Sequence, residues 1–202
     1  GRSITLAPNT EADPEVADYM IRTTGSGFAL ALLLRQRGYL TLHACLLSKE
    51  GATFGIVGDS GWGKSTLAEY FAQQGYSVLS DDIGAFDLRE DGIYVLSGNP
   101  LIKLRGESAQ WLISQSTKSK KEMDGRVHLR KDEVVGKAFK LDKLYLLEPS
   151  FAPSVGLRSI PHHRLIAELI RHTHGAHLLK RDDYQARLLR QCSEVVERVP
   201  TR

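Results

Sequence analysis

The stretch GDSGWGKST, residues 58–66, fits the pattern G-x-x-x-x-G-K-[ST], with Gly58, Gly63, Lys64 and Ser65 in the fixed places. An apolar run, ATFGIVG (52–58), enters it, and KSTLAEYFAQQ (64–74) leaves it as a helix ended by Gly75. That context sets the stretch apart from a chance glycine-rich turn. The glycines let backbone N–H groups turn inward toward phosphate oxygens. The loop opens onto a helix N-terminus, whose dipole favours an anion. Lys64 is placed to reach the outer phosphates and the Ser65 hydroxyl to ligate Mg²⁺. The expected nucleotide-binding set is Gly58, Asp59, Ser60, Gly61, Trp62, Gly63, Lys64, Ser65 and Thr66. Within it Trp62 stays open between stacking on a base or partner and being an exposed loop aromatic.

Strand, glycine loop, helix, strand is the phosphate-binding core of an α/β domain. YLTLHACLLS (39–48) reads as a strand paired with 52–58 across the turn Lys49-Glu50-Gly51. YSVLS (76–80) is the next strand, and AFDL and IYVL flank the turn REDG as a hairpin. These hairpins make the expected sheet mixed, with helices around it, in one domain spanning 1–202. Helices are expected at about 13–22, 26–37, 106–115, 164–174 and 182–199, and a strand at 143–149. SITLAP (3–8) reads as a short edge strand, and the polar, basic 117–126 as a mobile loop.

The net charge of +3 does not suggest a nucleic-acid partner, and no run is long and apolar enough for a membrane span. No secretory leader pattern is visible, and Cys45 and Cys192 have neither metal nor disulfide-framework spacing. A cytoplasmic location with reduced thiols is expected.

The run SDDI places Asp81 and Asp82 at the end of the strand after the loop helix. One carboxylate there can hold Mg²⁺ and the other can accept the proton of an incoming hydroxyl. Adjacent strand residues point to opposite faces, so the strand must end or twist for both to face one site. His43 lies on the strand beside the one entering the loop; on pattern alone a lone strand histidine is more often structural.

Spacing separates the classes that share such a loop. Transport ATPases carry their acidic strand far downstream, after a signature of the LSGGQ type that is absent here. Asp81 comes only 17 positions after Lys64, and the N-K-x-D motif of GTPases is missing. These absences favour a compact phosphotransferase.

The series His43, GDSG-x-GKS, Asp81-Asp82 resembles the catalytic domain of HPr kinase/phosphorylase. His43 precedes Gly58 by 15 positions, and the two aspartates follow it at 23 and 24, as in that family. LHAC, GKSTL, SDD, GNPLIKL, RHTH and RVP are similar to segments of smaller HPr-kinase-related proteins, some of which phosphorylate a serine of a lasso-peptide precursor. The resemblance covers 26–110 well and 140–200 loosely. It implies the HPr-kinase C-terminal, phosphoenolpyruvate-carboxykinase-like fold, with ATP and Mg²⁺ as cofactors. It also implies transfer to a serine of a peptide or protein. Lys64 and Ser65 would then bind phosphate and metal, Asp81 and Asp82 would divide metal contact and base, and His43 would orient one of these groups. Lys103 and Arg105 stand where they can neutralise phosphate, but IKLRGES (102–108) has no Glu at the family's metal-binding position. That places reverse phosphorylase activity and HPr itself outside the expectation. Arg171, His172 and His174 lie on a helix that either faces the site or is a plain polar face. HPr kinases form hexamers, so assembly into a homo-oligomer stays open. Two other readings stay open as well: a nucleotide-binding regulator with little transfer activity, and a small-molecule kinase.

Overall fold

A ten-residue strand, β1 (Leu40–Lys49), organises the molecule. Its even residues Leu40, Leu42, Ala44 and Leu46 point into one apolar core, and its odd residues Cys45 and Leu47 into another. Because both faces are covered, nearly every position is buried and the run reads as continuously apolar. The computed structural model describes residues 3–8, 11–98, 101–104, 119–121, 127–130, 136–150, 155–176 and 182–201.

Before β1, helix α1 (Pro14–Thr24) passes through a π-helical turn (Gly25–Ala29), kinked at Gly27, into α2 (Leu30–Gln36). After it come β2 (Ala52–Val57), α3 (Lys64–Gln73), β3 (Ser77–Ser80), β4 (Ile83–Arg89) and β5 (Gly92–Leu96). The chain continues through β6 (Leu101–Leu104), β7 (Ser119–Lys121), β8 (Val127–Arg130), β9 (Ala138–Lys140) and β10 (Lys143–Leu146). Two helices close it, α4 (His162–Arg171) and α5 (Asp182–Arg198).

The main sheet runs β10-β2-β1-β4-β5-β9, with β3 also paired to β1. Its ladders are antiparallel except for the parallel β10–β2 pair. The expected mixed α/β architecture is therefore present, in a mostly antiparallel form. On one face α4 and α5 insert Leu165, Leu169, Leu188, Cys192, Val195 and Val196 against the even side of β1. On the other, α3 contributes Ala68, and a small sheet ordered β6-β8-β7 contributes Ile102, Leu104 and Leu129. Each fully buried Leu or Ile contributes about 1.5–3 kcal/mol relative to exposure.

β1 changes neighbours halfway. On one side β2 pairs with Ala44–Lys49 and then leaves, and the segment after α4 takes over, with Thr173 bridging Leu42. The His43 N–H donates to the His172 carbonyl at 2.8 Å. On the other side β3 pairs up to Leu46 opposite Ser80, and β4 resumes at His43 opposite Ile83. Only Asp81 and Asp82 stand between the two ladders. Both gaps open at the level of His43.

Two expectations are corrected. Residues 3–8 carry no strand. The β10 edge of the sheet is taken by the C-terminal segment, where Leu144 pairs with Thr201, and Leu6 lies against Gly25 instead. Of the expected mobile loop 117–126, Ser119–Lys121 is a strand paired with β8. The expected helix at 106–115 and the remainder of that loop lie outside the described residues.

Candidate active site

The loop between β2 and α3 turns twice through positive φ, at Gly61 (88°) and Gly63 (100°), where L side chains are strained. Gly58 is needed for a different reason. A Cβ there would lie 2.9 Å from the Leu147 carbonyl oxygen, because Leu147 donates its N–H to the Val57 carbonyl and holds the ends of β10 and β2 together. Gly63 precedes α3 without a side-chain cap, so the helix meets the site with free N-terminal amides.

Lys64 is buried at the start of α3, and its Nζ donates to the carbonyls of Gly58 (2.7 Å) and Asp59 (2.9 Å). Burial lowers its pKa, against the opposing pull of Asp81, Asp82 and Asp59.

The two aspartates are held differently. Asp81 is 4% exposed. Its Oδ2 accepts the Lys103 N–H at 3.1 Å, and its Oδ1 has no hydrogen-bond partner among the described residues. Burial pushes its pKa up to about 7, even though the Lys103 amide and the Ser65 hydroxyl favour the charged form. Asp82 is also raised by burial, but the Lys103 ammonium, 2.7 Å from Oδ2, outweighs this and holds the carboxyl below its ordinary range. One lysine thus serves both neighbours, by its backbone and by its side chain.

His43 Nε2 lies 3.5 Å from Asp82 Oδ1. Burial first, then the Lys64 charge, lower the imidazole to about 4. It is neutral at neutral pH, so this contact is not an ion pair. His174 packs its ring 5.5 Å from His43, and its Nε2 lies 3.0 Å from the Asp82 carbonyl oxygen. Buried Arg35 donates to the His174 carbonyl and fixes this segment.

These groups surround a cavity of about 260 Å³. Ser60, Gly61, Gly63, Lys64, Ser65 and Thr66 form one wall. His43, Asp81, Asp82 and Lys103 form the other. Asp59, Trp62 and Gly58 do not line it. The Asp59 carboxylate turns away to Arg171 Nη1, at 2.7 and 2.8 Å, which lowers the Asp59 pKa. The same guanidinium sits 6.0 Å from the Trp62 ring and is also bound by Glu168. Arg171 and buried His172 therefore meet the site through the loop, not through the cavity. Arg105 lies outside the described residues.

Sequence reasoning did not find the Asp59–Arg171 link or the double use of Lys103. The first joins residues 112 positions apart, which no local spacing signals. The second depends on β6 folding back over the β3–β4 junction, which no local pattern encodes.

The oxygen donors at Ser65 and Asp81, with the orphaned Asp81 Oδ1, fit a hard divalent cation. Among the described residues no group of three or more His, Cys, Asp or Glu side chains is arranged to hold a metal by itself. An ion here would need oxygens from a ligand as well.

No helix among the described residues is long and apolar enough to cross a membrane. No family model matches the chain, and no curated protein does. Among solved structures, the HPr(Ser) kinase/phosphatase from Coxiella burnetii is similar over 57% of this chain and 64% of that one. The TM-score is 0.36 and the identity 16%. The chain thus spans less than two thirds of that structure's length, and the likeness is a partial one of fold, with no bearing on activity.

Proposed function

We propose that this protein binds ATP with Mg²⁺ and transfers the terminal phosphoryl group to a serine hydroxyl of a peptide or protein. The supporting observation is the meeting, on one cavity, of uncapped helix amides, a buried lysine and two adjacent aspartates of opposite pKa displacement. The loop amides and the α3 N-terminus cradle the phosphates. Lys64 exchanges its loop carbonyls for phosphate oxygens. Ser65 and Asp81 are the residues that would hold Mg²⁺, which when bound neutralises charge on the phosphate oxygens. Asp82, kept ionised by Lys103, accepts the serine proton while the serine oxygen forms its bond to phosphorus. The bond from phosphorus to the bridging oxygen of ADP breaks. Neutral His43 lies beside Asp82 and positions it. In its narrower form this reading makes the acceptor a lasso-type peptide precursor, on the strength of the sequence resemblance.

Incubation with ATP, Mg²⁺ and serine-containing peptides should add one phosphoryl group by mass. Asp82→Asn should lower the rate about a hundredfold or more, the general-base share. Unchanged transfer in that variant would remove Asp82 from the reaction. ATP binding with no product on any hydroxyl acceptor would instead mark a nucleotide-binding regulator.

A further inference from the structure

A second cavity of about 150 Å³ adjoins the first and shares Asp82 and Lys103 with it. It lies between the kinked helix and the β4–β5 side of the sheet. Its walls are aliphatic: Leu30 and Leu34 of α2, Ile83 and Ala85 of β4, Leu96 of β5 and Leu101 of β6. Three serines also line it, but each hydroxyl spends its donor hydrogen elsewhere. Ser26 donates to the Arg22 carbonyl (2.7 Å), Ser80 to that of Ile83 (2.8 Å) and Ser97 to that of Lys137 (3.2 Å). Among the described residues, the charged groups at the cavity are Asp82 and Lys103, which are paired with each other. Such a space offers an occupant mainly apolar contact and no unspent serine hydrogen. An aliphatic cavity of about 150 Å³ takes a benzene-sized molecule. Ser26 of the π-helical turn lines it, and that turn, distorted at Gly27 (φ −104°, ψ −106°), leads into α2. Such turns are frequent at functional sites.

We propose that this cavity is the acceptor-specificity pocket, and that it seats an uncharged Leu-, Ile- or Phe-sized side chain of the peptide next to the acceptor serine. The pocket's shared wall then brings the serine hydroxyl to Asp82, opposite the phosphate-binding side. An occupant of this kind needs an apolar arm and a hydroxyl arm close together, which adjacent peptide residues supply. The inference rests on the kinase reading above.

The test uses the full chain and short peptides with one serine flanked by Leu, Phe, Gly or Asp. Nucleotide affinity is measured separately with a fluorescent ATP analogue. Leu- or Phe-flanked peptides should exceed Gly- and Asp-flanked ones about tenfold or more in kcat/KM, the scale of discrimination in an apolar pocket. Ala85→Leu, which fills the space, should raise KM for the Leu-flanked peptide about tenfold while the nucleotide Kd holds. Since overpacking can disturb folding, Leu30→Ala provides the converse: an enlarged pocket should shift preference from Leu toward Phe. Equal rates for all flanks, or no change of preference in either variant, overturns the pocket while leaving the kinase reading standing. Absence of transfer to any peptide, or transfer only to small hydroxyl metabolites, overturns both.

Discussion

Asp81 and Asp82 are chemically identical neighbours, yet the fold displaces their pKa values in opposite directions. Burial favours the neutral form of Asp81, while Lys103 favours the charged form of Asp82. The Asp81 displacement has a consequence for stability. At pH values between the ordinary 3.8 and the folded value of about 7, the unfolded chain ionises this group while the folded one keeps it protonated. Stability therefore falls as pH rises through that window, and the full penalty is present above it. Moving a carboxyl this far corresponds to an order of 4 kcal/mol. Asp81→Asn should raise the metal-free, nucleotide-free Tm by several degrees at about pH 8 and much less near pH 4. A variant that gained nothing at the higher pH would show that Asp81 is not strained by burial. At this scale, Ser60, Gly61, Gly63, Lys64, Ser65 and Thr66 of the loop region, both aspartates and His43, all singled out in the sequence, line one cavity, while Gly58, Asp59 and Trp62 do not. The sequence did not divide the aspartates, because the dividing group, Lys103, arrives from a strand of another sheet.

Among the elements, the C-terminal end of α4 meets the site from two directions. Its last turn and the residues after it replace β2 as the neighbour of β1, through the His43–His172 and Thr41–His174 backbone hydrogen bonds. Arg171 then reaches across to Asp59 and ties down the loop. Arg171 and Asp59 are both substantially exposed, so the pair contributes about 0.2–1 kcal/mol. Arg171→Ala should weaken nucleotide binding about two- to fivefold, an effect that shrinks in high salt, with little change in kcat. Trp62, within reach of the same guanidinium, gives a fluorescence signal for the titration. Equal affinity at low salt would mean the loop holds its shape without the anchor. Most helices and strands were legible from apolar period and turn residues, including the β4–β5 hairpin. The handover of neighbours along β1 was not. Alternation says which face a residue takes, but a strand buried on both faces carries no mark of who lies beside it.

The whole molecule is a sheet between two apolar layers, and each layer contains one free cysteine. Cys45 is fully buried on the α3 side, and Cys192 is fully buried on the α4–α5 side. Burial raises both thiols, Cys192 to about 12, so neither is a ready thiolate. A thiol reagent should label both slowly in the native protein and rapidly in denaturant. ATP with Mg²⁺ should slow Cys45, two residues from His43, and leave Cys192 unchanged. Immediate labelling of Cys45 would contradict its packing, and equal slowing of both would mean the layers open as one cooperative unit. Composition and periodicity gave the class of this architecture but not its division into two layers, which depends on the long-range return of the C-terminal helices. The placement of the thiols makes the protein its own two-channel recorder. Because each layer carries its own thiol, labelling can time the breathing of the α3 side separately from that of the α4–α5 side, and so tell whether quieting one quiets the other.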